Sequence, residues 1–386
     1  MTVAVRDFEQ ADKDWVNALR SVAFGGPTWA SMPLDGWRGF VAELPAGPCG
    51  FLRIYDHAQF FGGVAVPMGG LASVAVTPYA RGRGVASALL DAALAAMRES
   101  GQCVSALYPS VPELYRGRGW EQVGVLQWLD LRIDRLLRFG KTRIDLRPAT
   151  DDDLPGMLEA YREVAIGIDG MLDRRANGFH AKELLIGPIK DVAVDADGRV
   201  RGYLAGERSR NEVLVINEFV ATDADTAAGL LGAIGSWAGQ LEQAAVRVLD
   251  MTTCRQLLPL PMRYQARFQP WMLRVVDFPA AVAARGWPTA ALLRPFTVDL
   301  EIADAHAPWH AGRHRLVVDE AGVRCEPGGS GAVRINGQGL GPWYAGSAST
   351  AALRRLGLLD GDPAQAALLD ALHNGATGEV RLADAF

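Results

Sequence analysis

Apolar and polar positions change period several times along the first third of the chain, and each change marks an element. Val3-Ala4-Val5-Arg6 alternates as a short strand, and residues 12–21 carry the spacing of an amphipathic helix. Residues 50–55 and 60–66 read as the two strands of a hairpin, with the polar stretch Asp56-His57-Ala58-Gln59 as its turn. A strand is predicted over 71–76 and a helix from Gly84 to Arg98, stopped at Gly101. Residues 103–107 form the next strand and 112–116 a short helix, and a strand pair closes the unit over 120–133.

The opening of this pattern recurs at Arg143. Leu146-Arg147-Pro148 followed by Thr150-Asp151-Asp152-Asp153-Leu154 repeats a strand, a cap and an acidic first turn, as Val5-Arg6-Asp7 does before Asp12. Residues 191–206 read as a hairpin about Asp197-Gly198, and 211–220 as a strand running into a helix through 225–240. The shared order points to a duplication. From Phe296 the pattern changes to short strands at 296–302, 313–318, 323–326 and 332–335. Helices at 350–356 and 362–373 follow, the second with Pro363 in its first position. The fold class expected is α/β (α+β).

Composition narrows the classes. A chain of 386 residues, 49% of them hydrophobic, has material for two or three cores. A net charge of −5 argues against nucleic acid as a partner. Cys49, Cys103, Cys254 and Cys325 lie far apart with no CxxC pair, so neither a metal site nor a disulfide framework is expected. The N-terminus lacks the basic start and apolar run of a signal peptide. No stretch approaches about 18 apolar residues. The expectation is a cytoplasmic protein without a membrane partner.

The chemistry concentrates in Val74-Ala75-Val76-Thr77-Pro78-Tyr79-Ala80-Arg81-Gly82-Arg83-Gly84-Val85-Ala86-Ser87. A strand ends at Pro78, a basic glycine-rich turn follows, and a helix opens at Val85. Such a turn presents backbone N–H groups at a helix N-terminus, a cradle for pyrophosphate. It falls after four predicted strands, which does not fit a dinucleotide fold, and the lysine of a P-loop is missing. The equivalent stretch of the second copy, Thr222-Asp223-Ala224-Asp225-Thr226-Ala227-Ala228-Gly229, has acids instead of arginines. Those acids suit a helix cap and repel phosphate, so the second copy is expected to hold no cofactor.

The turn Arg81-Gly82-Arg83-Gly84-Val85-Ala86 resembles the acyl-CoA pyrophosphate loop of the GNAT N-acetyltransferases. That resemblance implies that Arg81, Gly82, Arg83, Gly84, Val85, Ala86 and Ser87 receive the pyrophosphate of acetyl-CoA. It implies that Val74, Ala75 and Val76 pair with the pantetheine and acetyl group. Ser110-Val111-Pro112-Glu113-Leu114-Tyr115 before Gly119-Trp120 resembles the same family's tyrosine segment, which adds Ser110 and Val111 to the cofactor site. Tyr115 is then the general acid for the departing thiolate, a phenol with pKa near 10 facing a thiol near 8.5. For the base, His57 on a predicted turn reads as a surface histidine, and Glu43 and Glu113 as solvated carboxylates. His180, His306, His310, His314 and His373 lie outside the motif region.

Two GNAT-like units followed by an α+β tail resemble, over nearly the whole chain, the enhanced intracellular survival (Eis) family of aminoglycoside acetyltransferases. Residues 271–286 look like that family's linker strand and helix, and the chain from Phe296 resembles a sterol carrier protein. The resemblance implies an N-terminal catalytic GNAT domain over 1–142, a degenerate GNAT-like domain over 143–285 and a sterol-carrier-like domain over 286–386. It also implies that the terminal carboxylate, at Phe386, is the general base. Phe24, Trp29 and Trp37 would line the acceptor site, and the protein would be a homo-oligomer, a hexamer. The family's acids just after Phe24 and beside the last residue are absent, replaced by Gly25-Gly26-Pro27 and Ala385. The expected function is direct acetyl transfer from acetyl-CoA to a small-molecule amine of the aminoglycoside kind, with no metal. The alternatives are a protein or peptide lysine acetyltransferase and a non-catalytic CoA- or lipid-binding scaffold.

Overall fold

The computed structural model describes residues 3–25, 35–139, 142–250, 254, 256–258, 265–373 and 380–384. Its first unit runs β1 (Ala4–Asp7), α1 (Lys13–Phe24), β2 (Trp37–Leu44), β3 (Gly47–Phe61), β4 (Val64–Val76), α2 (Val85–Glu99), β5 (Val104–Leu107), α3 (Pro112–Arg116) and β6 (Glu121–Arg132). The predicted turn at 56–59 is not a turn. Strand β3 runs straight through it, with His57 5% exposed and Gln59 fully buried. These polar residues sit mid-strand because the second unit packs over them: Gln59 Nε2 donates to the Gly170 carbonyl at 2.7 Å. His57 is therefore a core histidine and not the surface one expected. The chain reverses instead at Gly62 and Gly63, both in the left-handed region, and a Cβ on Gly62 would overlap the Gly286 carbonyl. The predicted strand over 71–76 is the far half of β4. The strand pair at 120–133 is one strand, β6, and β2 went unpredicted.

The second unit runs β7 (Asp145–Pro148), α4 (Leu154–Ala165), β8 (Ile189–Val194), β9 (Val200–Arg208), β10 (Val213–Ala221), α5 (Ala224–Gly235), β11 (Gln243–Val248) and β12 (Gln265–Val275). The recurrence of the sequence pattern is also a recurrence of contacts. Arg6 pairs with Asp12 and Arg147 with Asp153, each at 2.7 Å and each six residues apart at the entrance to the first helix. All twelve strands form one sheet in the order β1-β2-β3-β4-β5-β12-β6-β11-β10-β9-β8-β7. The closing strands are exchanged: β12 of the second unit lies between β5 and β6, and β6 of the first lies against β11. Neither unit completes its sheet without the other.

The last part runs α6 (Phe278–Ala284), β13 (Phe296–Ala303), β14 (Gly312–Asp319), β15 (Gly322–Pro327), β16 (Val333–Asn336), α7 (Gly337–Tyr344), α8 (Thr350–Arg355), β17 (Leu359–Gly361) and α9 (Pro363–Ala371). Its five-stranded sheet has the order β15-β14-β13-β16-β17. Leu300, Leu340, Trp343, Leu353 and Leu369 fill its interior. Two buried ion pairs tie it to the rest, Arg274 to Asp304 at 2.8 Å and Arg285 to Asp169 at 3.0 Å. Charges buried this deeply persist only when paired; Asp304 also meets His310 at 3.1 Å. Residues 380–384 then return, buried, to the middle of the twelve-stranded sheet, where Arg381 bridges Val125. No described helix is long and apolar enough to cross a membrane.

Candidate active site

Strands β4 and β5 are parallel neighbours over three residue pairs only, Met68–Val104, Gly69–Ser105 and Gly70–Ala106. Strand β4 then continues to Val76 against β3, while β5 stops at Leu107. Past Gly70 the two strands part, leaving a wedge in the sheet along residues 71–76. An opening of this kind offers main-chain donors and acceptors to an amide-bearing chain such as pantetheine. Within the wedge, β4 has a bulge at Ser73, whose φ of 55° is rare for a non-glycine residue. The wedge opens toward the glycine turn. Gly82 and Gly84 have φ of 72° and 79°, and α2 starts directly behind them. Arg81, Gly82, Arg83 and Gly84 are exposed, Val85 is buried, and Ala86 and Ser87 are half-buried. Strand, turn and helix N-terminus thus hold Val74, Ala75 and Val76 and the cradle in one line, the arrangement an acyl-CoA requires.

Tyr115 sits on α3, 6% exposed, in the same core as Val85, Leu89 and Leu107. The carbonyl of Tyr115 accepts from the Trp120 and Arg118 amides. Trp120 Nε1 donates to Ser105 Oγ at 3.2 Å, and Ser105 Oγ donates to the Gly69 carbonyl at 2.9 Å. The tyrosine is therefore pinned to the last paired rungs of β4 and β5. Burial pushes its phenol up to about 12. Against a thiol in water near 8.5 that is a poor match. Desolvation raises a thiol as it raises a phenol: the buried Cys103 thiol, just before β5, is pushed up to about 12.

A cavity of about 370 Å³ opens between the two units, walled by Tyr55 and His57 of β3 on one side and by Glu183, Glu207 and Glu218 of the second unit on the other. Tyr55 pairs with Gly70, the last β4 residue bound to β5, so this wall stands one strand from the point of the wedge. Asp384 and Arg247 also line it, and two of its four carboxylates, Glu218 and Asp384, are ion-paired with the buried Arg174 behind the wall. Burial lowers His57 to about 4, so the ring is neutral at ordinary pH. The returning segment passes the wedge: Tyr108, next after β5, donates its hydroxyl to the Leu382 carbonyl at 2.7 Å.

The other predicted positions scatter. Ser110 and Val111 are exposed on the loop before α3. Phe24 ends α1, half exposed. Trp37 opens β2, half-buried against Phe8 and Phe51, and does not line the carboxylate-walled cavity. It lines a separate, open hollow with Asp56 and Asn177. Trp29 and Phe386 lie outside the described residues. Glu43 is paired with Arg6 at 2.9 Å, and Glu113 is exposed. Among the described residues no three His, Cys, Asp or Glu side chains gather as metal ligands. Sequence reasoning missed Tyr108, Glu183, Glu207, Glu218, Arg247 and Asp384. All but Tyr108 come from the second unit or the tail, and no local motif marks any of them.

The second unit has a wedge as well. Strands β10 and β11 pair over 213–216 and 243–246, and β10 runs on to Ala221. A cavity of about 330 Å³ lies there, lined by Leu129, Phe219, Val246 and Val248. At its helix the Asp223 carboxylate accepts from the Thr226 amide at 2.8 Å and pairs with Arg201 at 3.3 Å. A carboxylate thus caps this helix at the place where the first unit has its glycine turn.

Comparisons with known proteins agree with this geometry. Residues 49–123 match the acetyltransferase (GNAT) domain, and residues 278–377 the sterol carrier protein domain. An uncharacterized N-acetyltransferase of Streptomyces coelicolor is 28% identical over 327 residues, 77% of this chain and 75% of that one. The crystal structure of a GCN5-related N-acetyltransferase from Kribbella flavida superposes with a TM-score of 0.84 at 28% identity, covering all of both chains. That of Eis1 from Mycobacterium abscessus also covers both chains, with a TM-score of 0.76 at 21% identity, and shares the fold.

Proposed function

We propose that this chain, an N-acetyltransferase of the GNAT superfamily, carries acetyl from acetyl-CoA directly to an amine of a polycationic, aminoglycoside-like acceptor. The observation that carries the proposal is the wedge between β4 and β5, which lines up with the Gly82–Gly84 turn at one end and the carboxylate-walled cavity at the other. The acyl donor enters along Val74 to Val76, and the acceptor waits in the cavity, where Glu183 and Glu207 add negative charge beyond the ion-paired Arg174–Glu218–Asp384 cluster and favour an acceptor with ammonium groups.

The amine nitrogen attacks the thioester carbonyl, the C–N bond forms and the C–S bond breaks. Tyr115 gives its proton to the departing thiolate, and the carboxylate at Phe386 takes the proton of the amine. An α-carboxyl has a pKa of only about 3.5 in water. In a desolvated site a carboxyl rises and an ammonium falls, so the two would move toward each other. The buried path of residues 380–384 past Tyr108 supports delivery of Phe386 to this cavity. Direct transfer needs no acyl-enzyme nucleophile.

Thiol release from acetyl-CoA is the test, with kanamycin, spermine and a lysine peptide as acceptors. Fast release with the first two, lost when Phe386 is deleted or extended, is the expected result. Preference for the peptide would make the chain a protein acetyltransferase. No release with any amine, despite acetyl-CoA binding, would leave it a scaffold.

A further inference from the structure

Residues 382, 383 and 384 are held one after another by three side chains. Tyr108 Oη donates to the Leu382 carbonyl at 2.7 Å, Arg247 Nη1 to the Ala383 carbonyl at 2.7 Å, and Arg174 Nη2 to Asp384 Oδ1 at 2.7 Å. Arg174 Nε makes a second bond to the same oxygen at 3.0 Å, and Tyr161 Oη donates to Asp384 Oδ2 at 3.2 Å. Arg174 is itself fixed. Glu218 grips it with two oxygens at 2.8 and 2.9 Å, Tyr203 Oη lies at 2.7 Å, and its guanidinium stacks on Tyr161 at 3.8 Å. Glu218, on the same unit, already neutralises Arg174. The further carboxylate comes from 210 residues away along the chain.

We propose that the second unit is a clamp for the tail: Arg174, seconded by Arg247 and Tyr108, is a positioning residue that holds residues 382–384 against the acceptor cavity. This rests on the tail supplying the base, as proposed above. Charge and reach both fit. Arg174 and Arg247 face Glu218 and Asp384, two charges of each sign, so the cluster is balanced only with the tail in place. Phe386 is two residues past Asp384, a reach of at most about 7 Å, and Asp384 lines the cavity wall. Chain ends fray unless tied down. A carboxylate on a frayed end is a dilute base; one following a chain tied at residues 382, 383 and 384 has a higher effective concentration. The unit whose helix entrance carries the Asp223 cap then has a use of its own: its core is a socket for residues 382–384.

The test compares Arg174→Met, Arg174→Lys and Tyr108→Phe in the full chain, using acetyl-CoA and whichever of kanamycin or spermine is acetylated faster. Arg174→Met should lower kcat by about 10- to 100-fold while KM for acetyl-CoA stays within about twofold. Arg174→Lys, which keeps the charge without the fork, should recover part of the loss. Hydrogen exchange of the peptide holding residues 380–384 should quicken while the β8–β10 amides stay protected. Tyr108→Phe should show the same pattern more weakly, and it decides the matter if Arg174→Met does not fold. In a chain lacking Phe386, Arg174→Met should lower the rate no further. Full kcat in a folded variant with a loosened tail, or an added loss without Phe386, overturns the clamp. Full activity without Phe386 overturns the base instead; the clamp is then judged on exchange alone, and an unchanged tail overturns it.

Discussion

In the proposed mechanism Tyr115 acts through its proton, and its surroundings decide when that proton leaves. With the phenol pushed up to about 12, Tyr115 stays protonated throughout the range in which an enzyme works. Tyr115→Phe should therefore cut kcat by about 10²- to 10⁴-fold, with KM for acetyl-CoA nearly unchanged. Any alkaline limb of the kcat–pH profile below pH 10 should survive in the variant, because it belongs to another group. Steady-state rates over pH check both. This tyrosine was legible in the sequence because a short segment with a fixed spacing carries it. His57 was not. Its neighbours Asp56 and Gln59 look like a turn, and only the second unit lying over β3 explains why a strand buries His57 and Gln59.

At the level of the element, the two helix entrances that follow the wedges make a matched pair. In the first, Gly82 and Gly84 hold positive φ with open space where a Cβ would stand. Alanine there meets no neighbour but strains the backbone by about 1–2 kcal/mol. Gly84→Ala should weaken acetyl-CoA binding about tenfold, a loss that isothermal titration would read. In the second, Asp223→Ala should remove a cap worth about 1 kcal/mol and leave acetyl-CoA affinity unchanged; thermal unfolding with titration separates the two. The contrast between these turns was readable from composition alone, glycine and arginine against aspartate. The hairpin turn was misplaced and β2 unforeseen, since both depend on what covers them. Helix α7 went unseen because Gly337, Gly339, Gly341 and Pro342 are poor helix formers, and burial and the Asn336 cap hold it instead.

Across the whole molecule, three units share buried charge and cannot be separated cleanly. The exchange of β6 and β12 joins the two GNAT-like halves, and Arg274–Asp304 and Arg285–Asp169 join the third part to them. One consequence is sensitivity to acid. Burial lowers His57 from 6.5 to about 4 and His373 to about 3, so the unfolded chain takes up their protons first. Their contribution is present above pH 6.5 and is lost as pH falls toward 4 and 3. Asp304, held below the usual carboxylate range by its partners His310 and Arg274 against the opposing pull of burial, adds a second loss below about pH 4. Urea midpoints should fall steadily from pH 7 to pH 4, and His57→Gln should flatten part of that fall. The duplication and the change of character at Phe296 were visible in the residue pattern; the strand exchange and the docking of residues 380–384 were not, because they pair residues hundreds of positions apart. In the proposed reaction an amine and acetyl-CoA meet at the wedge between β4 and β5. Thiol release from acetyl-CoA, followed together with the mass of the acceptor, tests it most directly. Amine-dependent release with one acetyl gained per thiol, cut about 10²- to 10⁴-fold by Tyr115→Phe, is the expected result. Release without acetylated amine, or none from a folded chain that binds acetyl-CoA, would contradict it.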